Sequence, residues 1–317
     1  MEITYKKSTR LLAAAGFLFT TMIWGGSFVV MKNSVDQIPP SYLLAIRFSL
    51  AAILLALVFH KSLCRMNMEL FRSGLIMGIF LTLAYLLQTY GIKYTTASKN
   101  AFITALYVIL VPFIHWKVSG KRPGANHILA AVVAVAGLAL LTLHGTMGIN
   151  FGDFLTFCCG ICFAIHMVCT DRFTENHDPI LLTIIQIGFV GIANWFLAPY
   201  LDGTDSFSFG TLAETSIVSS LFYLAVFCTM IGFLIQTTGQ KYLSANTSAL
   251  LLSLESVFGT LLSVIFLKEI LTGRMILGCV LMFLSILISE LHFTPDQAAK
   301  RIVNIRLNKK TRKDIHG

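Results

Sequence analysis

Charged residues are scarce in this sequence of 317 amino acids. Asp, Glu, Lys and Arg together make up 12% of the chain, whereas an average soluble domain contains about 25%. Hydrophobic residues account for 56%, and the mean hydropathy is +0.77. No hydrophilic stretch between the apolar runs is long enough to form a soluble domain. The composition therefore excludes an ordinary globular protein and is typical of a polytopic membrane protein.

Cysteines outside the apolar runs and reactive motifs are also lacking. Only Cys64 lies clearly outside the predicted spans, which excludes an extracellular disulfide framework. Cys158, Cys162 and His166 recur every four residues, but no carboxylate or second Cys/His cluster completes a set of metal ligands. No pair of facing Asp residues, His-Glu-x-x-His motif or Ser with a base is present. We expect no enzyme activity, no cofactor and no metal site.

Long apolar runs dominate what is present. Each run is close to the roughly 20 residues that an α-helix needs to cross a bilayer, and turn residues separate the runs. The first run follows basic residues but lacks a cleavage site, which favours a retained helix. We predict an all-α integral membrane protein with ten transmembrane helices, at Leu11–Met31, Tyr42–His60, Phe71–Tyr90, Ala97–Trp116, Asn126–His144, Phe151–Cys169, Ile180–Tyr200, Ser216–Thr237, Asn246–Leu267 and Arg274–Leu291.

One stretch of the chain occurs twice. The segment 88–105 matches the segment 236–253 at a constant offset of 148 residues, including the pairs Gln88 and Gln236, and Tyr94 and Tyr242. This indicates a duplicated chain, which we divide into an N-terminus (1–10), two five-helix repeats (11–145 and 146–293) and a basic tail (294–317). Because five crossings are an odd number, the second repeat is expected to lie upside down, an arrangement that favours alternating access.

The distribution of positive charge predicts the orientation. Lys and Arg are more frequent on the side of the N-terminus, so both termini are expected in the cytoplasm and the protein in the plasma membrane. The tail after Leu291 is rich in Lys and Arg. We expect it to contact anionic membrane lipids and not nucleic acid. The sequence carries no signal for an oligomeric state.

Several short motifs carry a family resemblance. They are Trp24-Gly-Gly-Ser-Phe28 with Lys32, Arg47, Tyr94-Thr-Thr-Ala-Ser98 leading to Pro112, Leu254-Glu-Ser-Val-Phe258, Lys268-Glu269 and Gly278. Together they resemble the EamA-type branch of the drug/metabolite transporter superfamily over nearly the whole chain except the tail. The resemblance implies a carrier of two inverted five-helix repeats that moves small organic metabolites such as amino acids, often outward.

The sequence departs from that family pattern at two positions. Ser256 stands where the family commonly has proline after the acidic residue, which leaves open whether the ninth helix bends there. Lys121 stands where the first repeat usually has glutamate. The second departure concerns a cytoplasmic end and not the substrate path.

Two charged residues lie deep within predicted spans. Arg47 is about a third of the way into the second helix, and Glu255 is near the middle of the ninth. Charges at such depth are costly unless they are paired or hydrated, so both are candidate substrate-binding residues. Arg47 could instead snorkel or bond to backbone carbonyls. Glu255 could exchange a proton during transport, and a direct pair between the two is possible.

Six uncharged side chains complete the predicted substrate site, which we expect between helices 1–4 and 6–9 near the bilayer midplane. Tyr107 aligns with Glu255 in the repeat, so related positions carry different chemistry. An alternative is that these polar groups only tie helices together, or that the tryptophan belongs to an interfacial belt. The six are Trp24, Tyr85, Gln88, Tyr107, His166 and Gln236.

Small residues mark expected helix contacts. Ala97, Ala101 and Ala105 recur every four residues, the second repeat has the matching pattern, and Gly74 and Gly78 show the same spacing. Such spacing lets helices approach closely in lipid.

Together with the family resemblance, the sequence predicts a permease that exports small metabolites such as amino acids by alternating access. A proton is the candidate coupling ion. The alternative is a sensor or scaffold that binds a metabolite without moving it.

Overall fold

A computed structural model describes residues 7–120, 122–142, 150–204, 207–208, 210, 212, 214–267 and 272–290. The predicted basic tail and Lys121 lie outside these ranges. Within them the chain is helical. The helices are α1 (Lys7–Val35), α2 (Pro40–Val58), a short turn of helix (His60–Leu63), α3 (Met68–Tyr94), α4a (Ala97–Ala105), α4b (Tyr107–Ser119), α5 (Ala125–Thr142), α6 (Phe151–Thr174), α7 (Pro179–Leu201), α8a (Thr215–Phe222), a π-helical segment (Tyr223–Ile231), α8b (Gly232–Gln240), α9a (Ala245–Ser253), α9b (Glu255–Leu267) and α10 (Gly273–Glu290).

Most of these helices have the length and composition of membrane spans. Among the described residues, eight helices are long and apolar enough to cross a bilayer. They correspond to α1 to α4 and α6 to α9, with the segments of α4, α8 and α9 each taken as one span. α5 and α10 contain shorter apolar stretches, at Ala125–Leu140 and Gly273–Ser289.

Side chains at the helix starts explain where several elements begin. Pro40 and Pro179 open α2 and α7, a position where the missing N–H has no intrahelical partner in any case. Asn150 and Asp153 form a reciprocal capping box at the start of α6, in which each side chain accepts a backbone N–H of the other residue.

The fourth and ninth helices are both interrupted at the same register of the repeat. α4 breaks at Leu106 and α9 breaks at Leu254, 148 residues later. The two helices also start alike, because Thr96 and Ser244 each accept a hydrogen bond from the backbone N–H three residues on. α9 therefore breaks one residue before Glu255, although this chain has Ser256 where proline is common in the family that the sequence resembles.

Helix packing joins the two halves of the chain extensively. α2 packs on α7, and α5 packs on α10. α3 lies against α6 and α7, while α1 lies against α8 and α9. α6 also contacts α4, and α2 contacts the π-helical segment. The core is therefore built between the halves and not within each half separately.

Glycines permit the closest of these contacts. Gly74 and Gly78 on α3 face Ile185 and Phe189 on α7, so the small-residue spacing noted in the sequence forms a packing seam. The predicted alanine stripes are buried except for the half-buried Ala97, and Ala105 and Ala249 are fully shielded from solvent. A further close approach, between α1 and α9b, places Gly25 against the backbone of Gly259.

Candidate functional site

A cavity lies in the centre of the bundle, where α1, α2, α3, α4, α6, α8 and α9 meet. Its volume, measured as the space open to the centre of a water molecule, is about 40 Å³. One water needs about 10–15 Å³ on this measure, so the cavity holds only about three waters. Both halves of the chain line it, through Trp24, Ser27, Phe28, Met31, Arg47, Tyr85, Gln88, Ile92, Asn100, Thr104, Tyr107, Phe163, Met167, Gln236, Leu252 and Glu255.

Arg47 on α2 is the positive charge of the cavity and is 2% exposed. Its Nε donates to Thr229 Oγ1 at 2.6 Å, and its Nη1 lies 3.6 Å from Met31 Sδ. The guanidinium carbon sits 5.2 Å from the ring centroid of Phe48 and 5.0 Å from that of Tyr85. Such cation–π contacts stabilise a desolvated arginine. In the described part of the chain no carboxylate lies within salt-bridge distance of Arg47.

The π-helical segment in α8 supplies the groups that hold Arg47. Thr229 donates its own hydroxyl proton to Leu224 O, five residues back. Its Oγ1 therefore acts as the acceptor for the Nε–H of Arg47. The carbonyl of Cys228 accepts the indole N–H of Trp24 at 2.8 Å. The wider turn of a π-helix leaves backbone groups available in this way and is frequent at functional sites.

Glu255 on α9b supplies a carboxyl group to the same cavity. It is 5% exposed, and among the described residues its carboxylate has no hydrogen-bond or salt-bridge partner. Tyr85 and Tyr107 line the cavity together with this carboxyl group. A direct pair of Glu255 with Arg47, which the sequence left open, is therefore not formed. A buried carboxylate without a protein partner is available to a cation, an amine or a proton.

Amide side chains from α3, α4a and α8b provide further polar groups. Gln88 Nε2 donates to Thr104 Oγ1 at 3.3 Å, and Asn100 Nδ2 donates to Thr156 Oγ1 at 2.8 Å. The acceptor oxygens Asn100 Oδ1 and Gln236 Oε1 are buried and have no hydrogen-bond partner. Because an unsatisfied buried acceptor is costly, and because Asn100 and Gln236 line the cavity, both oxygens can accept a hydrogen bond from a donor that reaches them.

The structure brings seven of the eight predicted site residues into this one cavity. The exception is His166, which is fully buried and does not line the cavity. Its Nε2 lies 2.6 Å from Gln186 Oε1, and Gln186 in turn donates to Thr237 Oγ1 at 3.0 Å. His166 therefore belongs to a polar link between α6, α7 and α8.

Sequence reasoning missed three polar members of the site, Ser27, Asn100 and Thr104. Asn100 and Thr104 are four residues apart on α4a, within the duplicated stretch. The spacing of Asn100 and Thr104 places both side chains on one helix face, and this pattern is the signal in the sequence that could have identified them. Among the described residues no group of three or more His, Cys, Asp or Glu side chains is placed to hold a metal ion.

Comparison with known proteins shows which family this arrangement comes from. The family model described as "EamA-like transporter family" matches residues 11–143 and again residues 150–291. The protein belongs to this family. The match confirms the resemblance seen in the sequence, and EamA-like membership together with the eight apolar helices makes the chain a multi-pass membrane protein.

Individual relatives carry transporter names. An "Uncharacterized transporter" of Archaeoglobus fulgidus is 31% identical over 282 residues, which cover 89% of this chain and 87% of the relative. A "Probable amino-acid metabolite efflux pump" of Escherichia coli is 26% identical over 86% of this chain and 92% of its own length. A protein of known crystal structure has the same fold, with a TM-score of 0.70 at 19% identity, over 90% of this chain and 98% of that one. The EamA-like protein described here is therefore a membrane transporter.

Proposed function

We propose that the protein is an alternating-access permease that exports a small organic metabolite carrying both a donor cation, such as an ammonium group, and an anionic group. The observation that carries this proposal is the central cavity, which holds Arg47 and Glu255 without pairing them. Opposite charges kept apart at membrane depth suit a zwitterion such as an amino acid. The name of the Escherichia coli relative points to the same class of substrate.

The site offers a distinct surface to each end of such a substrate. Arg47, fixed by Thr229 and stacked on two rings, suits a carboxylate or another planar anion. Glu255, Asn100 Oδ1 and Gln236 Oε1 are acceptors without partners and suit an ammonium group. When no substrate is bound, Glu255 can take a proton, so a proton is the coupling ion that we propose.

Alternating access is supported by the way the halves pack. Each helix has a counterpart in the other repeat, five helices away. When every helix is replaced by its counterpart, each extensive helix contact corresponds to a contact that is also present. The contact of α3 with α6 corresponds to that of α8 with α1, and the contact of α3 with α7 corresponds to that of α8 with α2. This is the behaviour expected of two repeats related by a two-fold axis. We propose that the ten-helix, two-repeat arrangement holds, with α5 and α10 crossing as well.

The contacts of α1 support an inverted relation between the repeats. Late in α1, Lys32 touches the end of α3. Early in α1, the ring of Phe17 lies against Gly239 at the end of α8. The ends of α3 and α8 therefore lie toward opposite ends of one helix. With the N-terminus in the cytoplasm of a plasma-membrane protein, as we propose, the α3–α4 turn faces outward and the α8–α9 turn faces inward.

The proposal is tested by transport. Cells with and without the protein are compared for efflux and uptake of a broad panel of amino acids and other metabolites, at several external pH values. We expect one chemically related group to leave the cells faster. We expect Glu255→Gln to abolish that flux and its pH dependence, while the matched change Glu69→Gln, at an exposed carboxylate on α3, leaves both intact.

Two results would count against this function. Flux that survives neutralisation of both Arg47 and Glu255 would refute the assignment of the site. If correctly folded protein moves no compound, yet one of them stabilises it against heating, the sensor or scaffold function replaces the permease.

A further inference from the structure

Lys32 makes an unusual contact near the end of α1. Its Nζ donates to three backbone carbonyls at the end of α3, those of Ile92 at 2.8 Å, Lys93 at 3.3 Å and Thr95 at 3.2 Å. An ammonium group has three N–H donors, so all of them are used here. The last carbonyls of a helix lack intrahelical partners and form the negative end of its dipole. The contact is therefore a charged cap on α3 that a different helix supplies.

This cap lies at the rim of the central cavity. Met31, next to Lys32, and Ile92, whose carbonyl accepts the shortest of the three bonds, both line the cavity. Their side chains are only 5% and 1% exposed. The wall between α1 and α3 is therefore closed at this end of the bundle, and Lys32 bridges the closure.

The turn after α3, which carries the carbonyl of Thr95, is tied to α6 by a hydrogen bond. Thr95 Oγ1 donates to Asp153 Oδ1 at 2.6 Å. Asp153 lies in the first turn of α6, where its other oxygen accepts the backbone N–H of Asn150 at 3.0 Å. Because this turn is tied to α6, separating Lys32 from the carbonyls requires α1 to move relative to an anchored α3–α4 turn.

We infer that Lys32 is the latch of a gate: it holds α1 against the end of α3 and keeps one mouth of the central cavity closed. Opening that mouth transfers the ammonium group and the three carbonyls to water. The inference rests on the proposed function for the statement that opening is a step of a transport cycle. It rests on the proposed orientation for the statement that the mouth faces outward.

The latch can be tested by the accessibility of the cavity, without knowledge of the substrate. Ser27→Cys places a thiol on the cavity wall of the full-length protein in its membrane. Its rate of reaction with a membrane-impermeant methanethiosulfonate is measured from outside in intact cells and from inside in inverted vesicles. Protein without this change is measured in parallel to subtract the reaction of the native cysteines.

Removing the latch should open the mouth. We expect Lys32→Met to speed labelling from outside by at least about tenfold, because losing even one hydrogen bond to a charged group accounts for a factor of about ten. The matched control is Lys93→Met, which removes the same charge from the same end of the bundle. The Lys93 side chain is exposed, and only its backbone carbonyl takes part in the cap, so its labelling rate should equal that of Ser27→Cys alone.

Each outcome of the labelling experiment supports or overturns the proposed latch. Equal rates for Lys32→Met and the reporter alone, in protein that reaches the membrane, overturn the latch. Faster labelling from inside only supports the latch and overturns the proposed orientation. If Lys32→Met does not reach the membrane, Lys32→Gln takes its place and must also accelerate labelling for the latch to stand. A transport assay in which no substrate is found contradicts the permease and leaves the labelling result unaffected.

Discussion

Replacing Glu255 by glutamine should stabilise the protein while it stops transport. The carboxylate is almost completely buried and, within the described residues, has neither a hydrogen bond nor an ion pair. A buried charge carries a desolvation penalty of about several kcal/mol unless it is paired. Glutamine has nearly the same shape and carries no charge, but it keeps polar atoms whose own burial costs about 1–3 kcal/mol.

The balance of these two effects sets the expected size of the change. We expect Glu255→Gln to increase the free energy of unfolding by about 1–3 kcal/mol. For a chain of this length that corresponds to a rise of about 2–6 °C in the midpoint of thermal unfolding. The measurement is thermal unfolding in detergent at pH 8, where a carboxyl group in water is ionised, and flux of the substrate is measured in parallel.

The exposed Glu69→Gln provides the comparison for both measurements. Its unfolding midpoint should stay within about 1 °C of the parent, because surface substitutions usually change stability by less than about 0.5 kcal/mol. A Glu255→Gln protein that unfolds at a lower temperature than the parent would show that the carboxylate has a stabilising partner. The reasoning from its isolation would then be wrong.

Three other substitutions test parts of the fold around the site. Thr229→Val removes the acceptor that fixes Arg47 and should weaken substrate affinity about tenfold, measured as the KM of transport. Tyr90→Phe removes a hydroxyl that donates to Asp202 Oδ1 at 2.6 Å. It should lower the free energy of unfolding by about 1 kcal/mol, measured as a drop in the unfolding midpoint. Gly25→Ala would place a methyl group 2.6 Å from two backbone atoms of α9b, so α1 must shift and stability should fall by about 1–3 kcal/mol.

Each of these changes has a control of the same chemistry. Thr174→Val alters a hydroxyl on α6 that bonds only within its own helix, and KM should not change. Tyr200→Phe affects a ring that is 88% exposed and should leave the unfolding midpoint unchanged. Gly188→Ala meets only one atom, at an ordinary contact distance of 3.8 Å. Equal effects of a substitution and its control would contradict the role assigned to the contact.

The sequence predicted the helices well because bilayer thickness demands long apolar runs, and those runs are visible without any tertiary information. It also predicted that Tyr107 and Glu255 occupy matching positions, because the duplication keeps its register over the whole stretch. The structure adds that each is the first residue after a helix break. Leu106 and Leu254, where the breaks occur, are ordinary helix formers, so local sequence contains no signal for them.

Other features depend on contacts between distant parts of the chain. The cap that Lys32 places on α3 joins residues about 60 positions apart, and no periodicity connects them. The π-helical segment is an apolar run like any other at the level of sequence, and only the folded backbone reveals it. His166 was expected at the cavity because polar residues in spans often line one, but its Nε2 bonds to Gln186 instead and the residue does not line the cavity.

The two ends of the bundle carry different kinds of contact, and temperature should act on them differently. The α3–α4 end has the ammonium cap. Near the α8–α9 turn lies a buried hydrophobic cluster that includes Phe17, Leu243 and Leu250. Apolar contacts that open to water weaken on cooling, whereas hydrogen bonds exchanged for bonds to water change little. Cooling should therefore loosen the apolar end first and favour the conformation open at the α8–α9 side.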